Sequence, residues 1–398
     1  MRFAIYGLIA LAFLPLPADA GIFDNILHKP APREHDLPMT YITQGNSASY
    51  SPAADRIVFS RYDLSIKGAP SIDGKTAATG TFELWTADPD GAGERCISCF
   101  DIAGGPKRGQ HKGAPDWHPS GRWIVASVEM PQHQDTHDRT TPGRGAFMDL
   151  WVVSANGKQW YQLTHYASAA SGPRFENAPT GALMPHFSHS GGKLAWAEMI
   201  GADADHPYGI WQLAIADFTF GPHGAELKNK QVFRPGLKDA TFFEPWSFSP
   251  DDATMLVASD NGAGNPAYMQ LQEWDVKNNT LMPITRTHNQ YTEEGFYSPG
   301  GRRIAYMTTV DQEPPYNPRP GQFLKTFRTD VWLMRANGTD PQRLTYVNAP
   351  DHDHYRPGQY FVIPVGWMNG RTLLFDIDPI IGGRQAWENN AIYRLDLP

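Results

Sequence analysis

Short apolar runs separated by turn residues recur along this chain at a spacing of about 50 to 70 residues. Residues 83–98 read ELWTADPDGAGERCIS, residues 149–164 DLWVVSANGKQWYQLT and residues 330–345 DVWLMRANGTDPQRLT. In each, an acidic residue precedes an aliphatic residue and Trp. A Gly follows the aliphatic residue by seven, and an aliphatic residue with Ser or Thr closes the frame. Apolar positions around Trp85, Trp151 and Trp332, an Asp-Gly or Asn-Gly turn and a second apolar run predict two strands joined by a tight turn. A second element lies upstream: an aromatic residue, a turn and an apolar strand. It begins at Tyr50, Trp117, Phe187, Phe248 and Tyr297, and in weaker form at Trp367. Two hairpins per unit make a four-stranded antiparallel sheet. Six units predict an all-β chain, a six-bladed β-propeller.

The ends of the pattern predict how the ring closes. Tyr41-Ile42-Thr43 has the form of a last strand but precedes any first strand, whereas residues 392–397 form a third strand with no fourth after it. The N-terminal strand is therefore expected to complete the C-terminal blade, burying Tyr41 and Ile42 and leaving no free sheet edge. Residues 1–20 carry Arg2, an apolar run and Ala18-Asp19-Ala20, the pattern of a secretory leader cut after Ala20. Residues 21–37 are expected to be an arm, and residues 38–398 one propeller.

The aromatic-Ser-Pro-Gly element together with the Asp-aliphatic-Trp…Asn-Gly…Leu-Thr frame resembles the propeller repeat of TolB and its relatives. The same repeat occurs in oligogalacturonate lyases and in the propellers of prolyl-oligopeptidase-like peptidases. The resemblance covers roughly residues 40 to 398 and implies the fold, because one propeller scaffold hosts binding proteins and enzymes alike. TolB carries a separate α/β domain before its propeller, whereas about 20 residues separate the leader from the closing strand here.

Composition narrows the function. The chain has 34 basic and 42 acidic residues, a net charge of −8, which does not suggest a nucleic-acid or anionic-membrane partner. Past the leader, no apolar run is long enough to span a bilayer. The expectation is an exported, periplasmic monomer that meets an envelope protein, a peptide or a saccharide. Cys96 and Cys99 are the only cysteines, and export favours a disulfide, with a redox or metal pair as the other reading. Extended chain would hold their Cα atoms about 10 Å apart, so a bond requires a bend at Ile97-Ser98.

The turns within hairpins fall on one face and are short. Residues 62–81, 130–148 and 311–329, with the connectors between blades, fall on the other, so function is expected there, around the channel mouth. His111, His133, His137, His165, His206, His288, His352 and His354 all belong to that face. On extended backbone, His352 and His354 would point the same way, as two imidazoles on one metal require. Oligogalacturonate lyases hold a divalent metal with histidines, including a His-x-His pair, and a Gln. The resemblance implies His352, His354 and His288 as candidate metal ligands here, although the Gln position is occupied by Ala349. The alternative function is then a metal-dependent carbohydrate-active enzyme such as a lyase. His133, His137, His165, Glu244, Glu294 and Arg356 are candidate binding residues, and Glu293, Arg328 and His186 are further rim or channel candidates.

Overall fold

The computed structural model describes residues 36–65, 80–101, 103–131, 141–167, 178–203, 206, 209–234, 242–263, 265–287, 290–319 and 321–398. The expected leader, most of the arm, and the candidates His133, His137 and His288 lie outside these residues. After a first strand β1 (Met39–Gln44), four strands form each of the first five antiparallel blades, and the sixth is a sheet of five that includes β1. Blade one is β2 (Asn46–Ser51), β3 (Arg56–Asp63), β4 (Thr81–Ala87) and β5 (Arg95–Cys96). Blade two is β6 (Lys112–Trp117), β7 (Trp123–Glu129), β8 (Met148–Ser154) and β9 (Trp160–Gln162). Blade three is β10 (Gly181–Phe187), β11 (Lys193–Gly201), β12 (Ile210–Gly221) and β13 (Gly224–Phe233). Blade four is β14 (Phe243–Phe248), β15 (Thr254–Ser259), β16 (Gln270–Asp275) and β17 (Thr280–Pro283). Blade five is β18 (Thr292–Tyr297), β19 (Arg303–Thr308), β20 (Asp330–Arg335) and β21 (Gln342–Arg343). Blade six has β22 (Tyr360–Trp367), β23 (Thr372–Ile381), the short β24 (Arg384–Gln385) and β25 (Ala391–Asp396).

β1 completes blade six. It runs antiparallel to β25, with Met39 opposite Leu395 and Gln44 opposite Ala391. The innermost strands β2, β6, β10, β14, β18 and β22 are neighbours in that order, and β2 lies against β22. The ring is closed. Ile42 is buried as expected, whereas Tyr41 is 54% exposed and stands edge-on to Tyr393. The register of β1 shifts between Tyr41 and Thr43, and Ile42 and Thr43 are both buried while Tyr41 is left outside.

The repeated frame has a mechanical meaning. The closing hydroxyl of Thr345 donates to Asp330 at 2.7 Å and accepts from the amide of Val331 at 2.9 Å. Thr164 does the same with Asp149 and Leu150, both at 2.8 Å. Ser98 bridges Glu83 and Leu84, and Thr285 bridges Gln270 and Leu271. The acid is thus a buried clasp between third and fourth strands, and blade four uses Gln270 in its place. The turn glycines serve packing as well. A Cβ on Gly91 or Gly157, both at positive φ, would lie within 2.3 Å of a carbonyl oxygen of the preceding blade, of Ile42 on β1 or of Ile97 just after β5 respectively.

The core consists of wedges between blades. One unites Val125, Leu150 and Val152 of blade two with Phe187, Leu194 and Trp196 of blade three. Another joins Ile42, Leu374 and Ile392 of blade six to Ile57 and Phe59 of blade one. Second strands are covered on both faces, which is why Ile57-Val58-Phe59 reads as a continuous apolar run rather than an alternation. Cys96 and Cys99 are disulfide-bonded with Cα atoms 5.8 Å apart. The chain bends at Ile97-Ser98, as that bond requires.

Candidate functional site

Every innermost strand carries one extra residue relative to its partner, and this bulge shapes the channel. Register slips between Asn46 and Ser49, Gly113 and Asp116, Leu183 and His186, Pro245 and Ser247, Glu293 and Phe296, and Pro364 and Gly366. In four blades the bulge residue is a non-glycine at positive φ: Ser47 at 52°, Ala114 at 48°, Met184 at 47° and Glu294 at 52°. Such conformations are costly and persist where the surroundings enforce them. Side chains of the preceding blade help: Ser47 N donates to Asp376 at 2.5 Å and Ala114 N to Ser60 at 3.1 Å.

Beside the bulges, one residue from each blade forms a waist: Ser49, Asp116, His186, Trp246, Phe296 and Val365. These residues line two cavities. On one side a space of about 540 Å³ opens among the short turns, bordered by Pro52, Pro119, His189, Pro299 and Asn369. On the other a smaller cavity of about 150 Å³ is lined by Glu294, Asp376, Asp378, Arg144, Gln385 and Trp387. The waist also links blades. Asp116 accepts from Ser49 Oγ at 2.9 Å and from Phe187 N at 2.8 Å.

Acidic groups concentrate on the side of blades four to six. The Tyr291 hydroxyl donates to Glu293, which also shares a hydrogen bond with Glu244. Burial pushes Glu244 well above the usual carboxylate range, and the neighbouring Glu293 adds to it. Burial raises Glu294, Asp376 and Asp378 in the same way, with mutual repulsion contributing for Glu294 and Asp376. Glu293 is raised by burial against the opposing bonds from Glu244 and Tyr291. In the waist, burial lifts Asp116 to about 6 and drops His186 to about 3. Asp376 and Asp378 are 2% and 1% exposed, and an oxygen of each, Oδ1, has no hydrogen-bond partner among the described residues. Buried polar atoms are rarely left this way.

The histidine pair sits elsewhere. Residues 349–355 form successive turns, with His352 N bonded to Ala349 O and Tyr355 N to His352 O. The extended backbone expected there is therefore absent, because local turn bonds take the place of a strand ladder. His352 Nδ1 lies 2.9 Å from Asp36, and its ring stacks on Tyr346 at 3.8 Å. His354 Nε2 donates to Leu37 O at 2.6 Å, while Nδ1 accepts from Tyr346 N at 3.3 Å. Both of its ring nitrogens are engaged, so as arranged it offers no lone pair to a metal. Among the described residues no three His, Cys, Asp or Glu side chains come together as a metal site.

The remaining candidates disperse. Arg356 donates to the Tyr393 hydroxyl at 2.8 Å with its guanidinium over that ring. His165 is exposed, His206 bonds Asp203 at 2.6 Å, and His111 is buried, accepting from Phe82 N. Arg328 donates to Lys325 O at 3.4 Å. Glu294 and His186, by contrast, do line the cavity, and Glu244 and Glu293 stand behind it. Sequence reasoning missed Asp376 and Asp378. Their signal was present: two acids at alternate positions of an apolar second strand, LLFDIDPII, put two carboxyls on one face.

No protein-family model matches this sequence, and no curated protein sequence matches it. Solved structures do resemble it. TolB from Acinetobacter baumannii is 13% identical with a TM-score of 0.46, over 86% of this chain and 64% of its own. A putative TolB from Agrobacterium tumefaciens is 11% identical with a TM-score of 0.47, over 90% and 91%. An oligogalacturonate lyase in complex with manganese is 11% identical with a TM-score of 0.45, over 92% and 98%. TolB and oligogalacturonate lyase, two of the three kinds of protein whose repeat the sequence resembles, are among these structural neighbours. The blade assignment stands on the strand pairing itself.

Proposed function

We propose that this protein is an exported binding propeller, a rigid ring that takes part of an envelope protein, peptide or saccharide at its long-loop face and into the axial channel. The observation that carries this reading is the 150 Å³ cavity, to which all six blades contribute and which buried acidic side chains line, two of them with an oxygen that has no hydrogen-bond partner among the described residues. A concave site with a few convergent polar groups on an apolar wall is where a ligand gains most from being bound. Export is supported by the leader pattern and by the Cys96–Cys99 bond, which an oxidising compartment maintains.

The test is capture from envelope extract by the full chain and by two variants. Val365→Phe fills the cavity from the waist, and the second variant shortens the loop at 130–148. Loss of a wild-type partner in either variant, with the melting temperature retained, is expected. Capture unchanged in both would overturn the reading. A metal-dependent lyase would require His354 to give up Leu37 or Tyr346. Metal analysis of protein purified without chelator addresses that alternative, and a stoichiometric transition metal would revive it.

A further inference from the structure

From the same cavity we infer that the channel holds a primary ammonium group, seated on Asp376, Asp378 and Glu294 against the waist aromatics. The inference rests on the binding reading above and names the chemistry of the ligand. Asp376 and Asp378 stand on one face of β23 and line the cavity, and one buried oxygen of each, Oδ1, has no hydrogen-bond partner among the described residues. Glu294 reaches the same cavity from β18, held there by its left-handed bulge. An ammonium has three donors and can bond any of these acceptors singly, so it does not need all three carboxyls to meet at one point. Trp246 and Phe296, with ring centroids 6.1 Å apart, and Trp387 supply aromatic wall for an alkyl stem and for cation–π attraction.

Charge and size favour this occupant over others. Asp116, Glu294, Asp376 and Asp378 line the space against one basic side chain, Arg144, so the lining is acidic on balance. A bare metal ion needs several ligands at one point, and the described carboxyls do not converge in that way. A volume of about 150 Å³ suits a group of benzene size, such as a four-carbon amine or the end of a lysine side chain. The ammonium could be carried by a free amine or by a peptide lysine, and the two are separable by experiment.

The full chain is titrated by calorimetry and thermal shift with n-butylammonium, with n-butanol, with the blocked tripeptide acetyl-Gly-Lys-Gly-amide, and with calcium chloride. Binding by one or both ammonium compounds and none by butanol is expected, and the tighter of the two identifies the source. The Asp376→Asn/Asp378→Asn variant should bind about tenfold more weakly or worse, while its melting temperature stays level or rises. No binding by either ammonium compound, equal binding by butanol, or binding unchanged in the double variant would overturn the inference. Calcium binding lost in that variant would also overturn it, in favour of a metal site. If Val365→Phe still abolishes partner capture while ammonium binding is absent, the ligand class alone fails and the binding reading stands.

Discussion

Asp378 illustrates how a single residue can serve binding at the expense of stability. Burial raises its carboxyl and those of Asp376 and Glu294, so the folded chain holds protons that the unfolded chain releases above about pH 4. Stability contributed by such groups falls as pH rises through that window. Asp378→Asn should therefore raise stability at pH 7.5 by about 2 kcal/mol and lose that advantage near pH 4. Melting curves of variant and wild type across this range check it, and a constant difference at all pH values would sink it. His111 works in the opposite sense: burial lowers it to about 4, so its contribution grows as pH rises from there to its unfolded value. Comparing variant with wild type cancels that background. At the clasp, Thr345→Val leaves Asp330 and the Val331 amide each short of a partner. A loss of about 2 kcal/mol in denaturant unfolding is expected, against none for Thr40→Val on an exposed site.

At the level of elements, the closing strand and the cysteine loop differ sharply in weight. A chain beginning at His35 keeps Asp36 on His352 and β1 on β25; a chain beginning at Gly45 loses both. It also uncovers Ile392 and Leu374, which pack against Ile42. The first truncation should melt close to the full chain and the second far lower, with aggregation from the bared β25 edge. Equal melting temperatures would contradict the closure. The Cys96–Cys99 bond closes a loop of only a few residues and is worth about 2 kcal/mol in the chain-entropy model. Replacing both cysteines with Ser should leave a folded protein, and native wild type should resist alkylation at both sulfurs.

For the whole molecule, each core wedge belongs to two blades, and the waist bonds Ser49 to Asp116 and Asp116 to Phe187 run from blade to blade. Loss of β1 should consequently be felt around the ring. In hydrogen exchange, amides of β14–β16, distant from the break, should lose protection in the chain beginning at Gly45. Protection lost in blades one and six alone would show that the blades behave as separate units.

The repeat made the architecture legible before any coordinates. Spaced aromatic-turn and Asp-aliphatic-Trp frames specify hairpins, six of them specify a ring, and an unmatched strand at each end specifies the closure, because these are local patterns of burial and turn chemistry. The blade-four clasp escaped notice because Gln270 replaces the acid, although Thr285 keeps its spacing. The site was only partly legible. Glu244, Glu293, Glu294 and His186 are marked by their place on first strands, and the alternation in LLFDIDPII puts Asp376 and Asp378 on one face, but it does not say what that face meets. Nor does the string DHDH show that Asp36, far away in sequence, claims His352 and His354. Which polar groups meet, and which are left without partners, depends on how six blades tilt into one another around the axis. The sequence alone determined the blades and their order; only the tertiary packing decided that buried carboxyls of blades four to six gather on one side of the channel, since burial and proximity are properties of the closed ring rather than of any strand.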